Sequence, residues 1–226
     1  MPLDVKRVRA ICFDLDGTLS DSDDLLVARL ALFLHPFRFL FPQREAERIA
    51  RRMVMAGEAP GNFLISIPDR LGFDKPMYAL SDWVASREKR SRTKFKLIPG
   101  VRELLADLSR RYPLAVVSAR ETRSTDLFLD HFALSGYFRC VASDQTCEHT
   151  KPYPDPILWA AARMGVRPEE CLMVGDTSVD IRAGQAAGAQ TVGVLCGFGE
   201  RPELERRGAD LILNGTADLL SVLGAG

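Results

Sequence analysis

After Pro99-Gly100 the chain alternates between short apolar runs and stretches of helical periodicity, and this rhythm restricts its fold more than any other feature. One helix carries Val101, Leu104, Leu105 and Leu108 on a single face, and the run Leu114-Ala115-Val116-Val117-Ser118 follows it as a strand. A helix over about 122–132 leads to a short strand at 139–143, and a helix at about 155–164 leads to the strand Cys171-Leu172-Met173-Val174. A small-residue helix at 179–188 precedes the strand Thr191-Val192-Gly193-Val194. A short strand at 210–213 and a terminal helix close the chain. Strands that alternate with helices imply parallel βαβ units, because parallel neighbours need a crossover. The expected fold is therefore α/β, with a doubly wound parallel sheet.

The stretch from about 20 to 95 has a different character. Leu30, Phe33, Leu34 and Phe37, then Ala46, Ile49, Ala50 and Met53, recur at i, i+3, i+4 and i+7. Pro36, Pro42, Pro60 and Pro68 punctuate the segment, Gly57 and Gly61 bracket an interhelical loop, and a further helix runs from Met77 to about Lys89. No strand pattern occurs in it. The chain thus reads as a Rossmann-like core of residues 1–19 and 96–226, interrupted by a smaller, all-helical cap domain over 20–95. An insertion after the first strand is expected directly over the crevice at the carboxyl edge of the sheet.

Composition excludes several classes of function. The 30 basic and 30 acidic residues cancel, so no global field favours nucleic acid or an anionic membrane. No apolar run approaches the length of a membrane span. The first strand, at 8–13, begins within a few residues of the N-terminus and leaves no room for a signal peptide. The five cysteines, Cys12, Cys140, Cys147, Cys171 and Cys196, are odd in number and form no CxxC pair. Cys12 and Cys171 lie in strand-like runs as small buried hydrophobes, while a meeting of Cys140 with Cys147 is left open by the sequence. A reduced cytoplasmic protein is the simplest reading.

The chemistry-capable residues gather at strand ends. The first strand runs into Asp14 and Asp16 before Gly17, and an ordinary Asp-Gly turn accounts for one of those acids but not for both. Ser118 ends the next strand, and Lys151 sits in the proline-rich loop Thr150-Lys151-Pro152-Tyr153-Pro154. The strand at 171–174 continues into Gly175-Asp176-Thr177-Ser178-Val179-Asp180. Taken singly, Ser118 reads as a helix N-cap, Asp176 and Asp180 as acids favoured at a helix start, and Lys151 as a solvated surface residue. Parallel strands, however, bring all of them to one edge.

Together these residue types suit phosphoryl transfer through an aspartyl phosphate. Asp14, nearer the strand, can attack phosphorus, while Asp16 can protonate the leaving oxygen and later activate water. Ser118 and adjacent backbone N–H groups can hold a phosphate oxygen, and Lys151 can neutralise both nucleophile and phosphate. A hard divalent cation, Mg²⁺ by its preference for oxygen ligands, would offset the repulsion between carboxylate and phosphate, with Asp176 and Asp180 supplying further charge.

In these motifs the chain resembles the haloacid dehalogenase superfamily of phosphatases, the branch with a helical cap inserted after the first strand. Phe13-Asp14-Leu15-Asp16-Gly17-Thr18 is similar to that family's first motif, and Ser118 to its second. Lys151 with Pro152 and Pro154 is similar to the third motif, and Gly175 to Asp180 to the fourth. The resemblance implies Asp14 as nucleophile, Asp16 as acid/base, and Mg²⁺ bound by the Asp14 carboxylate, the Asp16 backbone carbonyl and Asp176, with Asp180 assisting. It places Gly17, Thr18, Ser118, Ala119 and Lys151 around the phosphate. It also implies a small phosphorylated metabolite as substrate and a monomer or homodimer as the working form.

The acid at position 16 argues for phosphate esters over haloacids, whose leaving halide needs no proton. A sugar-phosphate mutase of the beta-phosphoglucomutase type shares all four motifs and stands as the alternative, and a catalytically silent binding protein of the same fold as a third reading. The loop from Ala56 to Asn62, with Glu58 and Asn62 as hydrogen-bonding side chains, is the candidate for reading the substrate; an ordinary helix–helix turn explains it equally well. Cap arginines such as Arg29, Arg48 and Arg52 read first as solvated, with a substrate carboxylate, as in phosphoglycolate, as the alternative partner. Ser118 is followed by Ala119 and Arg120, where relatives often carry Asn and then a small or basic residue; Arg120 reads first as a solvated arginine at a helix start, with added charge near the substrate as the alternative.

Overall fold

A computed structural model describes residues 2–21 and 95–224. The chain divides into two compact units, Met1–Asp23 with Phe95–Gly226, and Asp24–Lys94. The helices expected between 20 and 95, and the candidate loop with Glu58 and Asn62, lie outside the described residues.

The first unit is built on six strands: β1 (Ala10–Phe13), β2 (Leu114–Val117), β3 (Cys140–Ala142), β4 (Cys171–Gly175), β5 (Gln190–Val194) and β6 (Leu211–Leu213). They form one sheet in the order β3-β2-β1-β4-β5-β6, and every pairing is parallel. The helices between them are α1 (Val101–Leu108), α2 (Thr122–His131), α3 (Asp155–Met164), α4 (Ser178–Ala187), α5 (Arg201–Arg206) and α6 (Leu219–Leu223). Alternation along each strand sorts side chains to two faces. Ile11, Phe13, Leu114, Val116, Leu172 and Val174 join Val101, Leu104, Leu105 and Leu108 of α1, Phe128 and Leu129 of α2, and Leu219 and Leu223 of α6. Ala10, Cys12, Ala115, Val117, Cys171 and Met173 meet Ile157, Ala160 and Ala161 of α3 and Ala183 and Ala187 of α4. One layer is thus filled by large aliphatic and aromatic groups. The other is lined by alanine and cysteine, which lets α3 and α4 approach closely.

The α/β reading and the helical face of α1 agree with the sequence. β1 begins at Ala10 rather than residue 8, because residues Val5–Arg7 form a 3-10 turn that Val8 closes. Helix α5 was not legible by periodicity: it has six residues, mostly charged, and buries only Leu204. Its signal was the proline in its first turn. All five cysteines are free thiols, so Cys140 and Cys147 do not pair.

β1 and β4 are the two central strands, so the loops that leave their carboxyl ends stand at the middle of that edge. The chain leaves the core beside the place where it returns. Asp21 donates its N–H to the Lys96 carbonyl at 2.8 Å, and Ile98 donates to Leu19 at 3.0 Å. Adjacent exit and return segments are what a tolerated insertion requires, since their hydrogen bonds close the core without the inserted residues.

Candidate active site

Four strand ends deliver the residues singled out in the sequence. Asp14 continues the β1 ladder, donating its N–H to the Val174 carbonyl at 2.9 Å. Beyond it the chain turns sharply: Leu19 and Ser20 both donate to the Leu15 carbonyl, at 2.9 and 2.8 Å, and Gly17 donates to Ser20 at 2.8 Å. Gly17 sits at a φ of 75°, where an L side chain is strained, and a Cβ there would overlap the Asp176 carboxylate. The glycine of the first motif therefore serves two ends at once: it makes the turn and lets the fourth motif approach.

Lys151 organises the centre. Its Nζ donates to Asp14 Oδ1 at 2.5 Å and to Asp180 Oδ1 at 2.6 Å, although these residues come from three separate segments. Lys151 is 8% exposed, Asp14 6%, and Asp176 and Asp180 not at all. Asp180 also closes the start of α4, accepting from the Thr177 N–H at 3.0 Å and the Thr177 hydroxyl at 2.7 Å. The ordinary reading of Asp180 as a helix-start acid and its place beside Lys151 are thus both true, one for each oxygen. Burial, reinforced by Asp180 and Asp16 and opposed by Lys151, pushes the Asp14 carboxyl up to about 8. The two carboxylates hold the Lys151 ammonium above its usual range despite its burial, so it stays a cation.

Asp14, Asp176 and Asp180 each present a carboxylate oxygen, and these oxygens lie within 4.8 Å of one another. The Lys151 ammonium bridges Asp14 and Asp180, and an oxygen of Asp176 lies in the same buried space. Crowded carboxylates in low dielectric repel unless a cation joins them. The donors are all hard oxygens, which suits a divalent ion of the magnesium or calcium kind. Asp176 is itself held rigidly: its Oδ2 accepts the Phe198 N–H at 2.7 Å, and its Oδ1 the Thr18 hydroxyl at 3.4 Å.

Some sequence-assigned residues take other places. Thr18 is fully buried, its hydroxyl on Asp176 and its N–H in the turn, while its carbonyl accepts the Thr216 hydroxyl at 2.6 Å. The N–H of Gly17 is likewise used within the turn. Both shape the site through these bonds, because tight-turn geometry engages their donors. Ser118 is buried at the end of β2, and its Oγ accepts the Arg120 N–H at 3.1 Å, while Ala119 beside it is exposed.

Arg120 departs from the solvated reading of its sequence position. Its side chain is only 18% exposed, and its guanidinium grips both oxygens of Asp16, Nε to Oδ2 at 3.0 Å and Nη2 to Oδ1. Sequence position beside a helix start suggested solvent, but the β2 and β1 ends are neighbours in the sheet, which brings position 120 to position 16. A fifth strand end was missed altogether. The loop after β5 brings Phe198 onto Asp176, and Cys196 Sγ donates to the Gly17 carbonyl at 3.3 Å. A Cβ on Gly197 would overlap the Asp176 carboxylate and crowd the Gly17 carbonyl at 2.6 Å. The spacing Gly193, Gly197, Gly199 after an apolar run was the available signal.

The profile of the haloacid dehalogenase-like hydrolases matches residues 11–194, which includes every strand end described above except the loop at 195–199. The chain belongs to that family. Among its relatives is the pyrophosphatase PpaX of Anoxybacillus flavithermus, 31% identical over 96% of this chain and 98% of that protein. Another is the phosphoglycolate phosphatase of Photorhabdus laumondii, 32% identical over 97% of this chain and 94% of that one. Among solved structures, a hydrolase of the family from Deinococcus radiodurans, with bound phosphate and sodium, superimposes with a TM-score of 0.72 at 26% identity, covering 96% of each chain. This haloacid dehalogenase-like hydrolase is accordingly a phosphatase by family. Among the described residues, no helix is long and apolar enough to cross a membrane.

Proposed function

We propose that this hydrolase cleaves small-molecule phosphate monoesters in the cytoplasm through a phosphoryl group carried on Asp14, with Mg²⁺ as its metal. The observation that carries the reading is the Lys151 bridge, which holds Asp14 beside Asp180 and within 4.8 Å of Asp176 in a buried, oxygen-rich centre. Lys151 fixes one Asp14 oxygen and leaves the other to attack phosphorus. The P–O bond to the alcohol breaks as the Asp14–P bond forms, and Asp16 gives its proton to the departing oxygen. Asp16 then takes a proton from water as that water attacks the phosphoaspartate, restoring Asp14 and releasing inorganic phosphate. In this reading the Ser118 hydroxyl, at the β2 end, donates to a phosphate oxygen, and the adjacent Ala119 N–H is the second donor.

The donor set fits a hard divalent ion, which the Asp14 and Asp176 carboxylates and the Asp16 carbonyl would hold, with Asp180 assisting. When bound, Mg²⁺ supplies positive charge that lets a phosphate dianion approach a carboxylate. With Asp14 pushed up to about 8 by burial, binding of a cation to its carboxylate should release a proton near neutral pH. Below about pH 8, affinity for Mg²⁺ should therefore rise about tenfold per pH unit, the effect of one linked proton. Calorimetry in buffers of different ionisation enthalpy should show up to one proton released per ion. An affinity independent of pH from weakly acidic to neutral conditions would contradict this.

Phosphoglycolate and pyrophosphate, from the names of the two relatives, are the first compounds to test. A panel of phosphorylated metabolites with Mg²⁺ should yield free phosphate, and chelation should stop it. Isomerised product without free phosphate would replace the reading with a mutase, and tight binding without turnover would replace it with a binding protein.

A further inference from the structure

We propose that Arg120 is the receptor for a second anionic group on the substrate, and that in the free enzyme it holds Asp16 until that group arrives. This rests on Asp16 being the acid/base of the reaction proposed above.

Two observations carry it. Asp16 accepts from Arg120 with both oxygens, Nε meeting Oδ2 at 3.0 Å and Nη2 meeting Oδ1. A carboxyl group in that fork turns both oxygens to the guanidinium and presents neither to a leaving oxygen. The second observation is Nη1 of the same guanidinium, which is buried and has no hydrogen-bond partner among the described residues. A buried N–H of a charged group without an acceptor is costly, and it points to an anion that completes it.

The root of the side chain is fixed. The Arg120 N–H donates to Ser118 Oγ at 3.1 Å, and its carbonyl accepts the Asp144 N–H at 3.2 Å. Arg120 therefore joins the two residues of the proposed reaction, its backbone tied to Ser118, proposed for the phosphate, and its guanidinium to Asp16, proposed for the leaving oxygen. An anion arriving there belongs to the leaving group, a few bonds from the ester oxygen. A carboxylate or a second phosphoryl group matches the planar fork of arginine, takes up Nη1, and competes with Asp16 for the remaining nitrogens. Asp16 is then free to face the ester oxygen. The exchange swaps one anion for another and breaks no covalent bond. The substrate class is a small phosphate ester or anhydride whose leaving group is itself an anion, and esters without that charge leave the acid held.

The test compares 2-phosphoglycolate with ethyl phosphate, which differ by the carboxylate, in the wild-type protein and in Arg120→Ala, Arg120→Gln and Arg120→Lys. The wild type should favour phosphoglycolate in kcat/KM by about ten- to hundredfold, the scale of a hydrogen-bonded charge pair. Arg120→Ala and Arg120→Gln should erase that preference, chiefly by raising KM for phosphoglycolate, and should lower kcat/KM for ethyl phosphate far less. Arg120→Lys should restore part of the preference. A wild type without preference, a preference that survives in the folded Gln variant, or an equal fall for both esters would overturn the proposal. The parent reading fails separately: turnover by Asp14→Asn would remove the aspartyl phosphate and leave the ester comparison intact.

Discussion

Replacing Asp14 by Asn should reduce phosphate release by about four to six orders of magnitude, the scale on which loss of a catalytic nucleophile registers. An amide keeps the shape and still accepts from Lys151, so the change removes nucleophilicity with little else. Folding should survive it. Asp14 and Asp180 share one ammonium, and burial already disfavours ionisation of Asp14. A neutral side chain leaves Lys151 and Asp180 as a one-to-one pair, which low dielectric tolerates better than two acids on one cation. The metal-free variant should thus melt no lower than the wild type near neutral pH, while Mg²⁺ stabilises it less. Single-turnover phosphate release and intact mass after quenching check the chemistry, the second by the absence of a phosphorylated species. Near-normal turnover in a clean preparation would eliminate Asp14 as the nucleophile.

Asp16→Asn should lower turnover by roughly two to four orders of magnitude, the usual range for a general acid–base residue. The loss should depend on the leaving group. An alkyl alkoxide departs poorly without a proton, whereas an aryl oxide needs little help, so alkyl phosphates should fall much further than p-nitrophenyl phosphate. The second half-reaction also needs Asp16, to take a proton from the attacking water. With the aryl ester the variant should therefore accumulate phosphorylated protein, detectable as an increment in intact mass. A loss of only a fewfold on an alkyl ester would show that another group moves the proton. The same substitution removes the partner of Arg120, and the aryl ester distinguishes that structural change from the missing acid.

The residues brought together at Lys151 were readable individually because their backbone context is local. A short apolar run can cross a parallel sheet in one direction only, so Asp14, Ser118 and Asp176 had to emerge at one edge. The role of Asp180 at the start of the helix after β4 was also local, since a capping box spans only a few residues. The solvated reading of Arg120 failed for the opposite reason. Its partner lies 104 residues away, and neither position carries a local mark of the other. The loop of Cys196, Gly197 and Phe198 escaped because its part is structural support. Its glycine and its backbone N–H acquire meaning only when Asp176 is known to stand against them.

The sequence by itself therefore determined the alternation of elements, the direction of the sheet and the edge at which the chemistry gathers. These arise from periodicity and chain connectivity, which are properties of neighbours along the chain. Only the tertiary structure decided which charges meet. It set Lys151 between Asp14 and Asp180, turned Thr18 inward to Asp176, and closed Arg120 on Asp16. Ion pairs and hydrogen bonds reach only a few ångströms, so their partners are fixed by strand order and by the last turns of the loops. Those distances are not encoded by pattern along a chain.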